Sequence, residues 1–359
     1  MKLKFIASLI IGVVLSMTAL ADTLKLRADH PDTYVVKKGD TLWDISALFL
    51  NSPWLWPRLW DNNSQIANPH LIYPGDILNL IWVDGEPRLT RKRLKKLSPI
   101  PRLEEKSQAI PIIPLEMLSA FLSKDHIIDP TLLEGAPRLL GDSVGSPRFF
   151  EGDIFYGEGQ YDKDKLYGIY RLGKDYKGAT GKNLGTELIF IGQSRVSESP
   201  NVDTTDKVTP HDLTRSSREA RQGDLILAIP EYETIPAYFI PKSVPKSTKG
   251  RILGAINNSS AIGKWDIVVI DKGKQDAIQI GSMFSILRSG QALLVDDKEI
   301  IYQEDSNAFD QLGSADLQLP AERVGELMVF KVYENLSIAI LMRGNDVIGS
   351  TYKIEGLPF

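Results

Sequence analysis

Apolar positions between residues 33 and 80 predict a small unit in which helices follow a short strand. The stretch TYVVKKGD alternates, is rich in β-branched residues and includes Gly39, where the backbone is expected to turn. Thr41 then suits the N-cap of a helix, with Asp44 three residues later in the manner of a capping box. Apolar residues of this helix recur at helical spacing, at Leu42, Ile45, Leu48 and Phe49.

The same stretch closes with a second helix and a second strand. The helix begins at Pro53 or at Pro57, because proline is favoured in the first turn. The sequence YPGD at residues 73–76 has Pro and Gly at the central positions of a type II turn, and residues 77–80 continue as a strand. We therefore predict a β-α-α-β unit over residues 33–82.

The rest of the chain is dominated by short apolar runs between Gly, Asp and Lys clusters, which is typical of compact sheets or barrels. A first β-rich domain is predicted at residues 113–235, with a short leading helix at residues 115–122. Proline-rich residues 236–250 are expected to be a connector. A second β-rich domain covers residues 251–359, and its longest apolar run is expected to be a hairpin that turns at Glu334-Asn335. The predicted fold class is multidomain, a β-α-α-β module followed by two small barrel-like domains.

Two charged stretches lie outside these patterns. Arg88–Arg102 holds seven Lys or Arg and no acid, and prolines interrupt it, so residues 83–112 are predicted to be a basic, proline-rich linker. Its alternative role is docking to a polyanionic polymer or to an acidic partner. Residues 296–318 are polar and acidic, which favours a mobile loop over a binding segment.

The first residues predict a cleaved export signal at residues 1–21. Lys2 and Lys4 precede an apolar run at residues 5–20, and the run leads into Ala-Leu-Ala, a small-x-small pattern. An uncleaved membrane anchor is the alternative, but the apolar core is shorter than the roughly 20 residues that a spanning helix needs. We expect cleavage after Ala21 and a periplasmic product.

Composition favours a globular protein that does not bind nucleic acid. Hydrophobic residues make up 43% of the chain and charged residues 25%, and the formal net charge is −4. Loss of Lys2 and Lys4 with the signal lowers that charge by two, to −6. A negative balance argues against nucleic-acid binding. The chain has no cysteine, which excludes disulfides and thiolate metal sites.

Residues 34–80 resemble a LysM module. The resemblance rests on GDTL at residues 39–42 and NPHLIYPGD at residues 68–76. It implies a β-α-α-β fold that binds peptidoglycan and other glycans containing N-acetylglucosamine. The implied glycan site lies between two loops and comprises Gly39, Asp40, Thr41, Leu42, Asn68, Pro69, His70 and Ile72.

The residues of this implied site also permit a purely structural interpretation. Thr41 is then only a helix cap, Leu42 and Ile72 belong to the core, and Asn68 forms a turn. The sequence does not decide between these roles and direct contact with glycan.

Three tryptophans, Trp54, Trp56 and Trp60, stand in an insert between the predicted helices. A sugar-stacking platform is one interpretation. Trp56 and Trp60 are four residues apart and share a helix face, which favours a core role, and Trp54 is expected to be the most exposed. With this W-x-W-P-x-x-W insert, the module is similar to those of the secretin-associated LysM proteins of type IV pili. The stretch DNNSQI at residues 61–66 departs from that family, which usually has Asn-Pro there.

The sequence contains no recognisable catalytic motif. Its histidines are scattered and form no H-E-x-x-H, and there is no cysteine nucleophile. We therefore expect no metal, no cofactor and a noncatalytic peptidoglycan-binding scaffold. The resemblance implies that this scaffold anchors an envelope machine, the outer-membrane secretin ring of type IV pili, to the cell wall, with oligomers formed through the ring. The alternative is a LysM-targeted peptidoglycan hydrolase with an unrecognised active site.

Overall fold

The chain forms two compact units in the computed structural model, Met1–Ile113 and Pro114–Pro358. The residues that the structure describes are 24–60, 72–92, 113, 118, 127–199, 205, 207–229, 239–256, 262–295, 300–303, 316–344, 348–349 and 352–359. The signal expected at residues 1–21 and most of the helix expected at residues 115–122 lie outside them. None of the helices within these ranges is long and apolar enough to cross a membrane.

The first unit is built on a three-stranded antiparallel sheet, with two helices between its first two strands. The strands are β1 (Thr33–Val35), β2 (Ile77–Val83) and β3 (Glu86–Lys92), in the spatial order β1-β2-β3. The helices are α1 (Leu42–Phe49) and α2 (Trp56–Trp60), with a 3-10 turn at Pro53–Leu55 before α2. Both predicted helices and both predicted strands are confirmed.

Strand β3 was not predicted, since its residues were expected to begin the basic linker. Asp84 and Gly85 form the connecting turn with φ of 51° and 80°, the left-handed pair that a tight hairpin requires. Asp-Gly between two strands is the sequence signal for such a hairpin, and its register places Val83 opposite Glu86. The described structure therefore corrects the start of the linker: residues 86–92 belong to the sheet of the first unit.

The tryptophans of the insert are buried. Trp56 and Trp60 lie in the core, as predicted, together with Trp43 of α1. The expectation that Trp54 is exposed was wrong, because the 3-10 turn at Pro53–Leu55 places its ring in the same core. The burial of all three leaves no sugar-stacking platform within the insert.

The second unit begins with an antiparallel sheet of seven strands. The strands are β4 (Ile127–Ile128), β5 (Leu139–Gly141), β7 (Ile154–Glu158), β8 (Tyr167–Lys177), β9 (Asn183–Val196), β10 (Val208–Ser216) and β12 (Leu225–Ala228). They run in the order β12-β8-β9-β10-β7-β5, and β4 pairs with β9. A separate pair is formed by β6 (Arg148–Phe149) and β11 (Ala220–Arg221). The outer strands β5 and β12 come together at a β-bridge between Arg138, which precedes β5, and Leu225 of β12.

The second half of this unit is a closed six-stranded barrel in the order β13-β14-β20-β19-β15-β21. Its strands are β13 (Lys249–Ala255), β14 (Ile267–Ile270), β15 (Met283–Arg288), β19 (Glu322–Val332), β20 (Ser337–Gly344) and β21 (Lys353–Gly356). Its interior is filled by aliphatic side chains around Phe284. The hairpin predicted to turn at Glu334-Asn335 is confirmed, because the Tyr333 amide donates to the Leu336 carbonyl across those two residues at 2.9 Å.

The sheet and the barrel pack in one compact unit, where two separate barrel domains were expected. The Lys174 ammonium of β8 donates to the Ala255 carbonyl of β13 at 3.0 Å. Residues 239–250, expected to be a connector, lie against the barrel: Phe239 and Val244 are buried, and the Lys242 amide donates to the Gly281 carbonyl at 2.8 Å. Of the two expected barrels, the second is present as the closed barrel of β13 to β21.

A small three-stranded sheet joins β15 to β19. It comprises β16 (Ala292–Val295), β17 (Ile300–Tyr302) and β18 (Leu317–Gln318), with β16 in the centre. Residues 296–318 were expected to be a loop without regular structure. Two of these strands lie within that range, so the expectation is corrected for them.

Candidate glycan-binding surface of the first unit

The loop between β1 and α1 is a tight turn closed by an aspartate. Gly39 has φ of 95°, a conformation that strains any residue with a Cβ. The Asp40 carboxylate accepts a hydrogen bond from the Lys37 amide at 2.7 Å, and the Asp40 amide donates to the Lys37 carbonyl at 3.2 Å. Gly39 is exposed, and the space in front of its Cα is open for at least 4 Å. The turn thus presents bare backbone to solvent.

The predicted type II turn at residues 73–76 has the same construction. Gly75 has φ of 94°, and the Asp76 carboxylate accepts from the Tyr73 amide at 3.0 Å. Strand pairing brings the two turns together, since Val35 lies opposite Ile77. Val36 then joins them directly: its amide donates to the Asp76 carbonyl at 2.9 Å, and its carbonyl accepts from the Gly75 amide at 2.8 Å.

Helix α1 begins at the edge of the first turn. The Thr41 hydroxyl accepts from the Asp44 amide at 3.1 Å and donates to the Asp44 carboxylate at 2.8 Å, which confirms the predicted cap. The amides of Leu42 and Trp43 belong to the first turn of the helix, whose N–H groups have no partner within the helix itself. Among the described residues they have no hydrogen-bond partner either.

The predicted site residues divide into three groups. Gly39 and Asp40 form the exposed turn, while Thr41, Leu42 and Ile72 are buried as cap and core. Burial leaves those three side chains no surface for a ligand, which favours the structural interpretation of cap and core for them. Three further predicted residues lie outside the described ranges: Asn68, Pro69 and His70.

Tyr34 is a residue of this surface that sequence reasoning missed. Its hydroxyl donates to the Asp40 carboxylate at 2.9 Å. Burial, reinforced by the hydrogen bond to Asp40, raises the pKa of Tyr34 to about 12, so the phenol keeps its proton at neutral pH. The Asp40 carboxylate is thereby engaged within the turn. The spacing of Tyr34 and Asp40 along the sequence gives no signal of this contact.

Trp82, an exposed aromatic residue among those described in the first unit, lies away from these turns. Trp82 stands near the end of β2, opposite Pro87, and is 65% exposed. It lies five positions along the strand from Ile77, which is a distance of roughly 16 Å at the rise of a β-strand. No cluster of His, Cys, Asp and Glu suited to a metal ion occurs among the residues that the structure describes.

Comparison with known proteins agrees with this geometry. Residues 34–80 match the LysM domain. Over 60 residues, the chain is 38% identical to an uncharacterized protein, YqbP, from Bacillus subtilis (strain 168). That match covers 14% of this chain and 27% of the relative, so the chain spans about a quarter of the length of YqbP. LysM domains bind the N-acetylglucosamine-containing glycan of peptidoglycan and are binding rather than catalytic domains.

Proposed function

We propose that this chain is a noncatalytic peptidoglycan-binding scaffold, in which the first unit holds wall glycan and the second unit holds an envelope machine. The observation that carries the first part is the pair of joined glycine turns beside the N-terminus of α1, within the residues that match the LysM domain. Gly39 and Gly75 expose backbone there that side chains would otherwise cover.

The chemistry of this surface suits an uncharged sugar. N-acetyl and hydroxyl groups exchange hydrogen bonds with backbone amides and carbonyls, and they need no ionic partner. The exposed backbone of the Gly39 turn can supply groups of this kind, whereas the amides of Leu42 and Trp43 belong to buried residues. The Tyr34 hydrogen bond keeps the Asp40 carboxylate within the turn. We expect Asn68, Pro69 and His70 to complete the opposite wall of the groove.

Substitution of Gly39 tests this assignment, with Gly85 as a matched control. Both glycines have positive φ and open space in front of Cα, but Gly85 lies at the far end of β2. Gly39→Phe should weaken cosedimentation of the chain with insoluble peptidoglycan by at least about tenfold, because a ring there fills the approach of the sugar. Gly85→Phe carries the same backbone strain and should leave binding within about twofold of the original.

Two outcomes of that experiment contradict the proposal. An equal loss in both variants means that backbone strain, and not glycan contact, governs binding. Unchanged binding of Gly39→Phe places the groove elsewhere. The supernatants are also assayed for soluble wall fragments. Release of such fragments by the purified chain would mean that the protein is a peptidoglycan hydrolase, which is the alternative function.

The proposal also includes export of the chain. Removal of residues 1–21 by signal peptidase leaves a periplasmic, wall-associated chain that begins at Asp22. Mass spectrometry of the N-terminal peptide from the envelope fraction should find Asp22 as the first residue. A chain that keeps Met1 rules out cleavage.

The partner of the second unit is proposed from the sequence resemblance to secretin-associated LysM proteins. A secretin ring offers many equivalent positions for the scaffold. Weak individual glycan sites arranged around such a ring gain roughly 10²- to 10⁴-fold in combined affinity, because each bound copy raises the effective concentration of the next. Ring association is thus the proposed route to an oligomer.

A further inference from the structure

The sheet half (β5 to β12) and the barrel half (β13 to β21) of the second unit share one strand order. Read from β5, the six main strands of the sheet run β5-β7-β10-β9-β8-β12, and those of the barrel run β13-β14-β20-β19-β15-β21. By position in the chain, both orders are first, second, fifth, fourth, third and sixth. The sixth strand also returns to the first in both halves. The Leu139 amide of β5 donates at 2.8 Å to the carbonyl of Asp224, which precedes β12, and β21 pairs with β13.

Backbone details also agree between the two halves. Gly141 of β5 and Gly254 of β13 both stand at an irregularity in the first strand, with φ of 131° and 149°. Leu213 of β10 and Leu341 of β20 each hold the turn before the second strand through two backbone hydrogen bonds, of 2.8 and 2.9 Å in both halves. The main strands of the two halves can therefore be aligned with each other.

The small sheet of β16 to β18 corresponds to an arm of the sheet half. Residues 172–188 of β8 and β9 form this arm, which extends past the residues that pair with β12 and β10. Both the arm and the small sheet connect the third strand to the fourth. Ile169 and Ile286 each lie opposite a glycine of the fourth strand, and seven residues later stand Tyr176 of the arm and Leu293 of β16.

One face of the arm is buried against the barrel half. Tyr176 and Gly185 lie opposite each other on this face, and Tyr176 is only 2% exposed. A Cβ at Gly185 would come within 2.8 Å of the side chain of Leu336, at the tip of the β19-β20 hairpin. The Lys174 ammonium donates to the carbonyl of Ala255, at the end of β13. The end of β13 and the hairpin tip thus receive the arm.

The matching face of the small sheet is exposed. Leu293 and Leu317, which lie opposite each other, stand where the arm has its buried pair. Because side chains alternate along a strand, Val295, Ile300 and Tyr302 share this face with them. Ile300 is 64% exposed, Leu317 53%, Val295 48% and Tyr302 46%. A contiguous apolar surface of this kind marks an interaction site.

The receiving surface also has a counterpart, at the matching end of the sheet half. Asp142 follows the glycine of β5 as Ala255 follows the glycine of β13. The fifth strand starts alike in both halves, since Thr209 and Ser337 each donate a hydroxyl hydrogen bond of 2.7 Å to a carbonyl just after the second strand. Val144 is 85% exposed here, in a loop that the Asp142 carboxylate holds through three backbone amides.

We propose that a second copy of the chain covers these two surfaces. The small sheet of one copy packs on the Asp142–Val144 end of the next, and so repeats between chains the contact that joins the two halves within a chain. Because the two surfaces differ, the contact is heterologous, and it continues into a ring or a filament. The proposal concerns the second unit alone and stands whether or not the first unit binds wall glycan.

Sedimentation velocity of the purified chain from residue 22 onward tests this contact. The original chain should form species larger than a dimer as its concentration rises. Ile300→Thr with Leu317→Thr alters the small sheet and Val144→Glu alters the other surface, and each change should weaken self-association by about tenfold or more. Leu132→Glu is the matched control, because Leu132 is 63% exposed outside both surfaces, and it should leave association unchanged.

A mixture of the two weakened variants separates this contact from a symmetric one. Each variant keeps the surface that the other lacks, so the mixture should form a heterodimer that grows no further. A mixture that stays monomeric overturns the proposal, as does an original chain that stays monomeric at all concentrations or an equal loss in Leu132→Glu. Circular dichroism checks the folding of every variant. If the threonine variant unfolds, Val144→Glu decides alone, and unchanged association of that variant refutes the proposal.

Discussion

At the scale of single residues, one turn recurs through both units and ends where a helix or strand begins. Its glycines are Gly39, Gly75, Gly152 and Gly223, with φ of 95°, 94°, 95° and 90°. In each turn the aspartate after the glycine accepts from the amide three residues before it, over 2.7, 3.0, 2.7 and 2.8 Å. Two adjacent residues thus fix the geometry locally. Gly141-Asp142 is an exception, because Gly141 ends β5 and the Asp142 carboxylate accepts from amides that follow it, those of Val144, Gly145 and Ser146.

His211 of β10 is a buried titratable residue with an unusual environment. Its ring stacks on Phe155 at a centroid distance of 5.5 Å and meets the edges of Tyr161 and Tyr167. Its Nδ1 lies 3.2 Å from the Ser194 hydroxyl, and its Nε2 has no partner among the described residues. Burial, opposed only by the nearby charge of Asp212, lowers the pKa of His211 to about 4.

This shift predicts an acid-sensitive second unit. A lowered folded-state pKa means that neutral His211 adds stability above its unfolded pKa of about 6.5, and that this stability is lost as the pH falls toward 4. Between pH 7 and pH 4.5 the loss should be about 2 kcal/mol. Urea unfolding at the two pH values should show a smaller decrease in His211→Phe than in the original chain. An equal decrease in both would mean that His211 is not the group responsible.

At the scale of elements, local signals were sufficient for some parts of the fold and misleading for others. Helix α1 and the β19-β20 hairpin were predictable because a cap and a two-residue turn are written in adjacent residues. Strand β3 was missed because its basic residues suggested a solvated linker. Arg88 is in fact buried, with its guanidinium 2.6 Å from the Glu86 carboxylate. The two residues are two apart on one face of β3, so their pairing depends on this stretch being a strand, which composition does not reveal.

Contacts that depend on the folded backbone are also hidden from the sequence in the candidate site and in the small sheet of β16 to β18. Gly39 and Asp40 could be placed in an exposed turn from sequence, whereas the contact of Tyr34 with Asp40 depends on how β1 leads into that turn. The acidic character of residues 296–318 suggested a loop. The apolar face of β16 to β18 emerges only when cross-strand pairing aligns residues that are distant in the sequence.

Strand β3 gives a direct test at this scale. Leu89 is fully buried, whereas Thr90 lies opposite Asn79 and points to the other face. In the first unit, residues 22–113, Leu89→Ala should lower the free energy of unfolding by about 3 kcal/mol, since it removes core volume. Thr90→Ala should cost less than about 1 kcal/mol. Urea denaturation measures both, and similar small effects would show that β3 contributes nothing to this core.

Across the whole molecule, each of the two units has its own binding partner under the proposed function. The first unit has a compact core of its own, with four buried tryptophans. The second unit combines a sheet, a closed barrel and the exposed face of β16 to β18. Under the proposed function the chain needs no catalytic group, because attachment at both units would be enough to hold a machine to the wall.

A bridging assay tests whether the chain holds a secretin ring to peptidoglycan. Purified secretin ring is mixed with insoluble peptidoglycan, alone, with the mature chain, or with a chain that lacks residues 24–92. We predict that the ring enters the pellet only with the mature chain, and that the shortened chain binds the ring but leaves it in the supernatant. A ring that sediments equally well with the shortened chain, or that binds neither form of the protein, contradicts the claim.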